Sequence, residues 1–119
     1  MSDRETLEVD VLFVGAGPAG LGGAIRLAQL AKQAGKQLSI CVLEKAKEIG
    51  MHAISGALMI PTSLRELFPD FLEQGCPVEG PVQEDFVFFL TETDVASLPV
   101  IPPPLDNHGN YIISLGRVV

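Results

Sequence analysis

Apolar positions fall into short blocks whose spacing changes along the chain. Val9, Val11, Leu12, Phe13 and Val14 form a run interrupted only by Asp10 and ending at a glycine. That pattern predicts a parallel strand buried on both faces. From Pro18 to Ala34 the period becomes helical: Leu21, Ala24, Ile25, Ala28 and Ala31 share one face, and Arg26, Gln29, Lys32 and Gln33 the other. Pro18 suits a first helical turn, and Gly35, beside Lys32 and Lys36, suits its C-terminal end. Leu38 to Leu43 is a second strand-prone run, so a βαβ unit with a right-handed crossover is expected over about 9–44.

Beyond the βαβ unit, Ala53 to Leu58 is small and loop-like, and helical spacing returns from Pro61 to Leu72 through Leu64, Leu67, Phe68, Phe71 and Leu72. Pro69 interrupts it, which predicts two short helices or one kinked helix. Asp85 to Leu90 is strongly β-prone, Thr91 to Asp94 can turn and Val95 to Val100 can return, giving a hairpin over about 84–100. The Pro102-Pro103-Pro104 run is a stiff connector. Tyr111 to Ile113 is apolar, and Ser114 suits the N-cap of a helix starting at Leu115. The fold class expected from these elements is α/β: the N-terminal part of a doubly wound domain with an added β-hairpin. Two parallel strands and one crossover helix leave apolar faces and strand edges without partners, so the chain reads as a fragment of a longer protein.

The chain has 119 residues, 47 % of them apolar and 19 % charged, which suits one globular domain at most and excludes a disordered acidic tail. A net charge of -7 argues against nucleic acid, whose phosphates call for surplus Lys and Arg. The acid is uneven: ten acidic residues and only Arg65 lie between positions 48 and 116. Cys41 and Cys76 have no CxxC spacing and suggest neither a metal cage nor a disulfide framework. The start, Met1-Ser2-Asp3-Arg4-Glu5, alternates charge and lacks the basic and apolar regions of a secretory signal.

Gly15-Ala16-Gly17-Pro18-Ala19-Gly20 fits GxGxxG. The pattern is weak alone, but here it follows an apolar strand, opens a helix and precedes a second strand ending in Glu44. In that context Gly15 permits the tight turn, Gly17 lets the backbone approach a pyrophosphate and Gly20 lets the helix pack on the strand. The helix N-terminus offers N–H groups to the pyrophosphate. Glu44 is placed to accept hydrogen bonds from adenosine ribose hydroxyls and disfavours the 2′-phosphate of NADP. The glycines do not decide between FAD and NAD. The small-residue stretch Gly50 to Ala57 suits close backbone approach to a flat isoalloxazine ring, or is an ordinary surface loop.

Taken together, the runs Val14 to Leu21, Val42 to Lys45 and Glu48 to Ala57, then Pro61 and Asn107 to Ile112, resemble the electron transfer flavoprotein-ubiquinone oxidoreductases over residues 9 to 119. The resemblance makes the expected doubly wound domain a Rossmann-like FAD-binding one, and it implies an FAD that takes electrons from reduced electron transfer flavoprotein and a 4Fe-4S cluster that helps pass them to membrane ubiquinone. The cluster's four cysteines belong to the family's C-terminal region, and Cys41 and Cys76 match none of them. Met51 and Gly22-Gly23 depart from the commoner residues.

Motif and resemblance together make Val14, Gly15, Ala16, Gly17, Pro18, Ala19, Gly20, Leu21, Glu44, Lys45, Gly50, His52, Ser55 and Gly56 the candidate cofactor-binding residues. No catalytic or metal-binding residue is expected. His52 and His108 read as loop histidines making backbone hydrogen bonds, although an acid-base role is the other reading of His108. Ala57 to Ile60, Leu64, Leu67, Phe68, Phe71 and Leu72 make an apolar set, on one helical face from Leu64 onward, that either touches a membrane interface or packs on the protein core; the flavin-side loop and this helix together span about 50–73. Expected partners are electron transfer flavoprotein, ubiquinone and a peripheral membrane contact. The expected location is the cytoplasmic face of the inner membrane, and the chain alone is expected to be inactive. The alternatives are an FAD-dependent reductase or hydroxylase of another family, or an inactive nucleotide-binding fragment.

Overall fold

The computed structural model describes residues 4–119, so the first three residues of the charge-alternating start lie outside the described residues. The chain divides into two units, one running to Ile54 and including 115–117 and 119, the other built from Ser55–Ser114 and Val118.

In the first unit, β1 (Val11–Val14), α1 (Pro18–Gln33) and β2 (Ile40–Leu43) form the βαβ element. The strands are parallel, with Val11 beside Ile40 and Val14 beside Leu43, as the crossover requires. The second strand starts later than its apolar run because Ser39 is occupied with Asp10. The Asp10 carboxylate accepts hydrogen bonds from the Ser39 N–H at 2.8 Å and hydroxyl at 2.9 Å, and the Asp10 N–H donates to the Ser39 carbonyl at 3.0 Å. The one charge in the first run is thereby satisfied where the strands begin, and those bonds hold the Asp10 carboxyl below the usual carboxylate range.

α1 ends in a Schellman motif. The Lys36 N–H donates to Ala31 at 2.9 Å and the Gly35 N–H to Lys32 at 3.2 Å, with Gly35 left-handed at φ +63°. Two expectations about burial fail in this unit. β1 is not covered on both faces: Val11 and Phe13 are half-buried, whereas Leu12 and Val14 are exposed. On α1, Ala24 and Ala31 are buried but Ala28 is exposed. The reason is shared: among the described residues the helix covers one face of a two-stranded sheet. Gly23 has a packing role, since a Cβ there would lie 2.8 Å from the Phe13 ring.

In the second unit, β3 (Gly56–Met59) and β4 (Val78–Pro81) flank β7 (Tyr111–Ser114) in an antiparallel sheet. Gly56 lies opposite Ser114 and Met59 opposite Tyr111; β4 is bulged between Val78 and Gly80. β5 (Phe88–Leu90) and β6 (Val95–Ser97) form a separate hairpin closed by Thr91 and Asp94, whose backbone N–H groups donate to the Asp94 carbonyl and the Thr91 hydroxyl, both at 2.9 Å.

Two readings are corrected here. Of Ala53 to Leu58, taken as loop-like, Gly56 to Leu58 belong to β3, whose partner β7 lies more than fifty residues away and left no local signal. As expected, a helix, α3 (Leu115–Val118), starts directly after Ser114, which also ends β7. The helix expected through Leu72 is α2 (Thr62–Leu67), six residues that stop where Phe68 turns extended (φ −139°, ψ 90°) just before Pro69. The single helical face of 64–72 therefore does not form. Phe71 turns inward, 4 % exposed, with its ring edge-on to Tyr111 at 5.9 Å, while Leu72 stays exposed. No helix among the described residues is long and apolar enough to cross a membrane.

Candidate dinucleotide site

The first unit carries a cleft at the C-terminal ends of β1 and β2, where open α/β sheets bind ligands. Gly15 continues the sheet, its N–H donating to the Leu43 carbonyl at 2.7 Å, and then turns the chain away at φ +102°. Gly17, extended at ψ 178°, is the N-cap of α1 and makes no side-chain cap, and Pro18 opens the helix. The first intrahelical bond runs from the Leu21 N–H to the Gly17 carbonyl at 2.9 Å, so the Ala19 and Gly20 N–H groups belong to the unpaired first turn. No acidic side chain occupies that turn to compete with an anion.

The turn and the second strand are tied by one side chain. Glu44 accepts the Ala16 N–H on Oε2 at 2.8 Å and the Ala46 N–H on Oε1 at 2.7 Å. These bonds, Ala46 foremost and Ala16 next, with His52 adding a smaller attraction, hold its carboxyl below the usual carboxylate range. Glu44 is therefore ionised at neutral pH. A carboxylate has about four acceptor positions, so each oxygen keeps capacity for a further donor such as a ribose hydroxyl.

The cleft, about 310 Å³, is lined by six expected residues: Ala16, Gly17, Pro18, Glu44, Gly50 and His52. Ala46, Ala53, Leu115 and Val119 complete it. These four carried little signal in the sequence: two are alanines beside candidate positions, and two, Leu115 of α3 and Val119 just after it, come over sixty residues later. Val14, Gly15, Ala19, Gly20, Leu21 and Lys45 adjoin or support the cleft without lining it. Ser55 and Gly56 belong to the second unit, Gly56 as the first residue of β3. A larger hollow, about 640 Å³, lies at Leu7 to Asp10 and Ser39, the opposite end of the strands from the glycine turn.

A dinucleotide fits the residues of the cleft on two observations. A Cβ at Gly17 would meet nothing within 4 Å, so the turn is open on the side a ligand must approach, whereas Gly20 is filled from behind by backbone. The donors around it are backbone N–H groups and the acceptor is a carboxylate, suited respectively to pyrophosphate and ribose.

Residues 14–69 match the family described as an NAD(P)-binding Rossmann-like domain. The mouse protein named electron transfer flavoprotein-ubiquinone oxidoreductase, mitochondrial, is 50 % identical over 118 residues, which is 98 % of this chain and 19 % of that protein. The Dictyostelium discoideum protein of the same name is 52 % identical over 116 residues. The Pseudomonas aeruginosa protein named electron transfer flavoprotein-ubiquinone oxidoreductase is 48 % identical over 119 residues.

The chain is a homologue of the electron transfer flavoprotein-ubiquinone oxidoreductases. It spans about a fifth of the length of these curated relatives, 19 % of the mouse protein and 22 % of the Pseudomonas one. The glycine turn, α1, β2 and the Glu44 to Ala53 segment all lie within the Rossmann-like match.

The histidines divide. His52 lines the cleft. His108 lies in the second unit, where its N–H donates to Asp106 Oδ1 at 3.0 Å and its Nδ1 pairs with the same oxygen at 2.5 Å. Asp85, Asp106 and His108 bring one potential ligand atom each within 4.8 Å of one another, all on exposed or half-buried side chains. Cys41 and Cys76 are free thiols. Two cysteines do not supply the four thiolates of a 4Fe-4S cluster.

Proposed function

We propose that this chain supplies the FAD-binding beginning of a flavoprotein oxidoreductase that passes electrons from reduced electron transfer flavoprotein to ubiquinone at a membrane surface. The observation that carries the reading is the match of nearly the whole chain, at about half identity, to proteins bearing that name. The cleft is consistent with it. Bound FAD would supply two-electron chemistry on one side and one-electron chemistry on the other. The chain's own residues bind and orient: the Gly15 to Gly20 turn and the first turn of α1 direct N–H groups at the pyrophosphate, and Glu44 accepts from ribose. Gly50 and His52 form the wall of the cleft formed by the segment after β2. The 4Fe-4S cluster and most of the quinone pocket belong to other segments of the complete protein, and the chain alone gives no turnover.

The Rossmann-like family description names NAD(P), and the test separates the two cofactors. The complete protein is purified, its cofactor released by heat and identified by mass, and oxidation of reduced electron transfer flavoprotein is followed with a soluble ubiquinone. FAD in the wild type, its loss in Gly17→Asp and quinone-dependent turnover are expected. A nicotinamide cofactor, or normal flavin content in Gly17→Asp, overturns the reading.

A further inference from the structure

α3 meets the wall of the cleft through main chain. A Cβ on Gly116 would lie 2.9 Å from the Gly50 carbonyl oxygen and 3.0 Å from that of Ala53. A Cβ on Gly50 would lie 2.4 Å from the Gly116 carbonyl oxygen. The segments at 50–53 and 115–117 therefore touch backbone to backbone, an approach that a side chain on either glycine would block. The 50–53 segment is itself a tight turn, with the Ala53 N–H donating to the Gly50 carbonyl at 3.0 Å and Gly50 at φ +80°. Gly50, His52 and Ala53 on one side of this seam, and Leu115 and Val119 on the other, line the cleft. The thickness of the chain at residue 116 thus sets how closely the turn stands over the glycine loop.

We propose that Gly116 is a positioning residue of the dinucleotide site: by carrying no side chain it lets the 50–53 turn close on the cleft, fixing the distance of Gly50 and His52 from the bound cofactor. The proposal rests on the FAD reading above and adds to it a residue that touches no ligand. A methyl group at position 116 collides with two carbonyl oxygens of the turn, neither of them the mobile end of a side chain, so the turn must move outward by several tenths of an ångström. Displacements of that size in a binding constellation cost roughly tenfold or more.

The test uses the complete holoprotein with three substitutions. Gly116→Ala introduces the collision. Gly75→Ala serves as control, because Gly75 has the same left-handed backbone as Gly50 (φ +85°) but open space around its Cβ, and it lies in the second unit. Ala53→Gly loosens the turn without any collision and decides the matter should Gly116→Ala not fold. Three quantities are read: the flavin dissociation constant, the midpoint potential of the bound flavin and the hydrogen exchange of the amides of 51–53.

Gly116→Ala and Ala53→Gly are expected to weaken flavin binding about tenfold, shift the potential and speed exchange in the turn. Gly75→Ala lowers thermal stability and leaves all three unchanged. Wild-type affinity, potential and exchange in a folded Gly116→Ala, or in Ala53→Gly if the former does not fold, overturn the proposal while the FAD reading stands. A wild-type protein that holds no flavin overturns both.

Discussion

A Cβ on Gly20 would lie 1.9 Å from the carbonyl oxygen of Gly15, so α1 starts in direct backbone contact with the turn that precedes it. The third glycine of the motif is thus a packing requirement, while the second, Gly17, faces open space. Gly20→Ala is expected to destabilise the protein by about 1–3 kcal/mol or more through overpacking. Gly17→Ala should cost under about 1 kcal/mol, as an exchange at an N-cap, yet weaken flavin binding. Denaturant melts and flavin titrations of the two variants check this; equal losses of stability would refute the division of roles.

Glu44 joins the glycine turn to the end of β2 as an ionised group, so the tie depends on pH. Its folded-state pKa is lowered from the ordinary 4.5, hence its stabilising contribution is present above that value and is lost as pH falls through the lower folded value. Glu44→Gln should lower stability at neutral pH, and its deficit relative to wild type should shrink as the medium is acidified below about pH 4. A deficit that is constant with pH would mean that the carboxylate charge plays no part in the tie.

Phe71, at 4 % exposed, packs edge-on against Tyr111 of β7, whereas Leu72 beside it is 42 % exposed. Phe71→Ala is expected to destabilise the second unit by about 3–5 kcal/mol, the range for emptying a buried aromatic site. Leu72→Ala should cost far less. Hydrogen exchange at Ile112 and Ile113 in the complete protein reports the difference, and equal protection in both variants would contradict the inward placement of Phe71.

His108 is held above its ordinary pKa of 6.5 chiefly by its hydrogen bond to Asp106, with the charges of Asp106 and Asp85 adding to it, and Asp106 is held below 3.8 by the backbone and ring of His108. The histidine's stabilising contribution is complete below 6.5 and is lost as pH rises through the raised value. The aspartate's is present above 3.8 and lost as pH falls through the lowered one. The pair therefore holds the loop before β7 best between those limits. In Asp106→Asn the NMR titration of His108 should move down toward the ordinary value; an unmoved midpoint would assign the pairing no role.

The sequence by itself was enough for the βαβ element, the glycine turn and Glu44. Their information is local: an apolar run, a 3.6-residue period, Pro18 at a helix start and Gly35 at its end each act within one or two turns of chain. The hairpin was legible for the same reason, since its strands are joined by the turn at Thr91 to Asp94. Local pattern also misled. The spacing of Leu64, Leu67, Phe68, Phe71 and Leu72 is helical, but Pro69 removes an N–H and restricts Phe68, and the contact with Tyr111 decided where Phe71 points. Gly56 to Leu58 fell within the stretch Ala53 to Leu58 that looked like loop, because these residues gain a strand's hydrogen bonds only from β7. The same separation hid Leu115, Gly116 and Val119, whose place at the cleft depends on the chain returning to the first unit after sixty residues. Sequence periodicity records what each segment can bury; which distant backbone supplies the partner is settled by packing, and only the tertiary structure shows it.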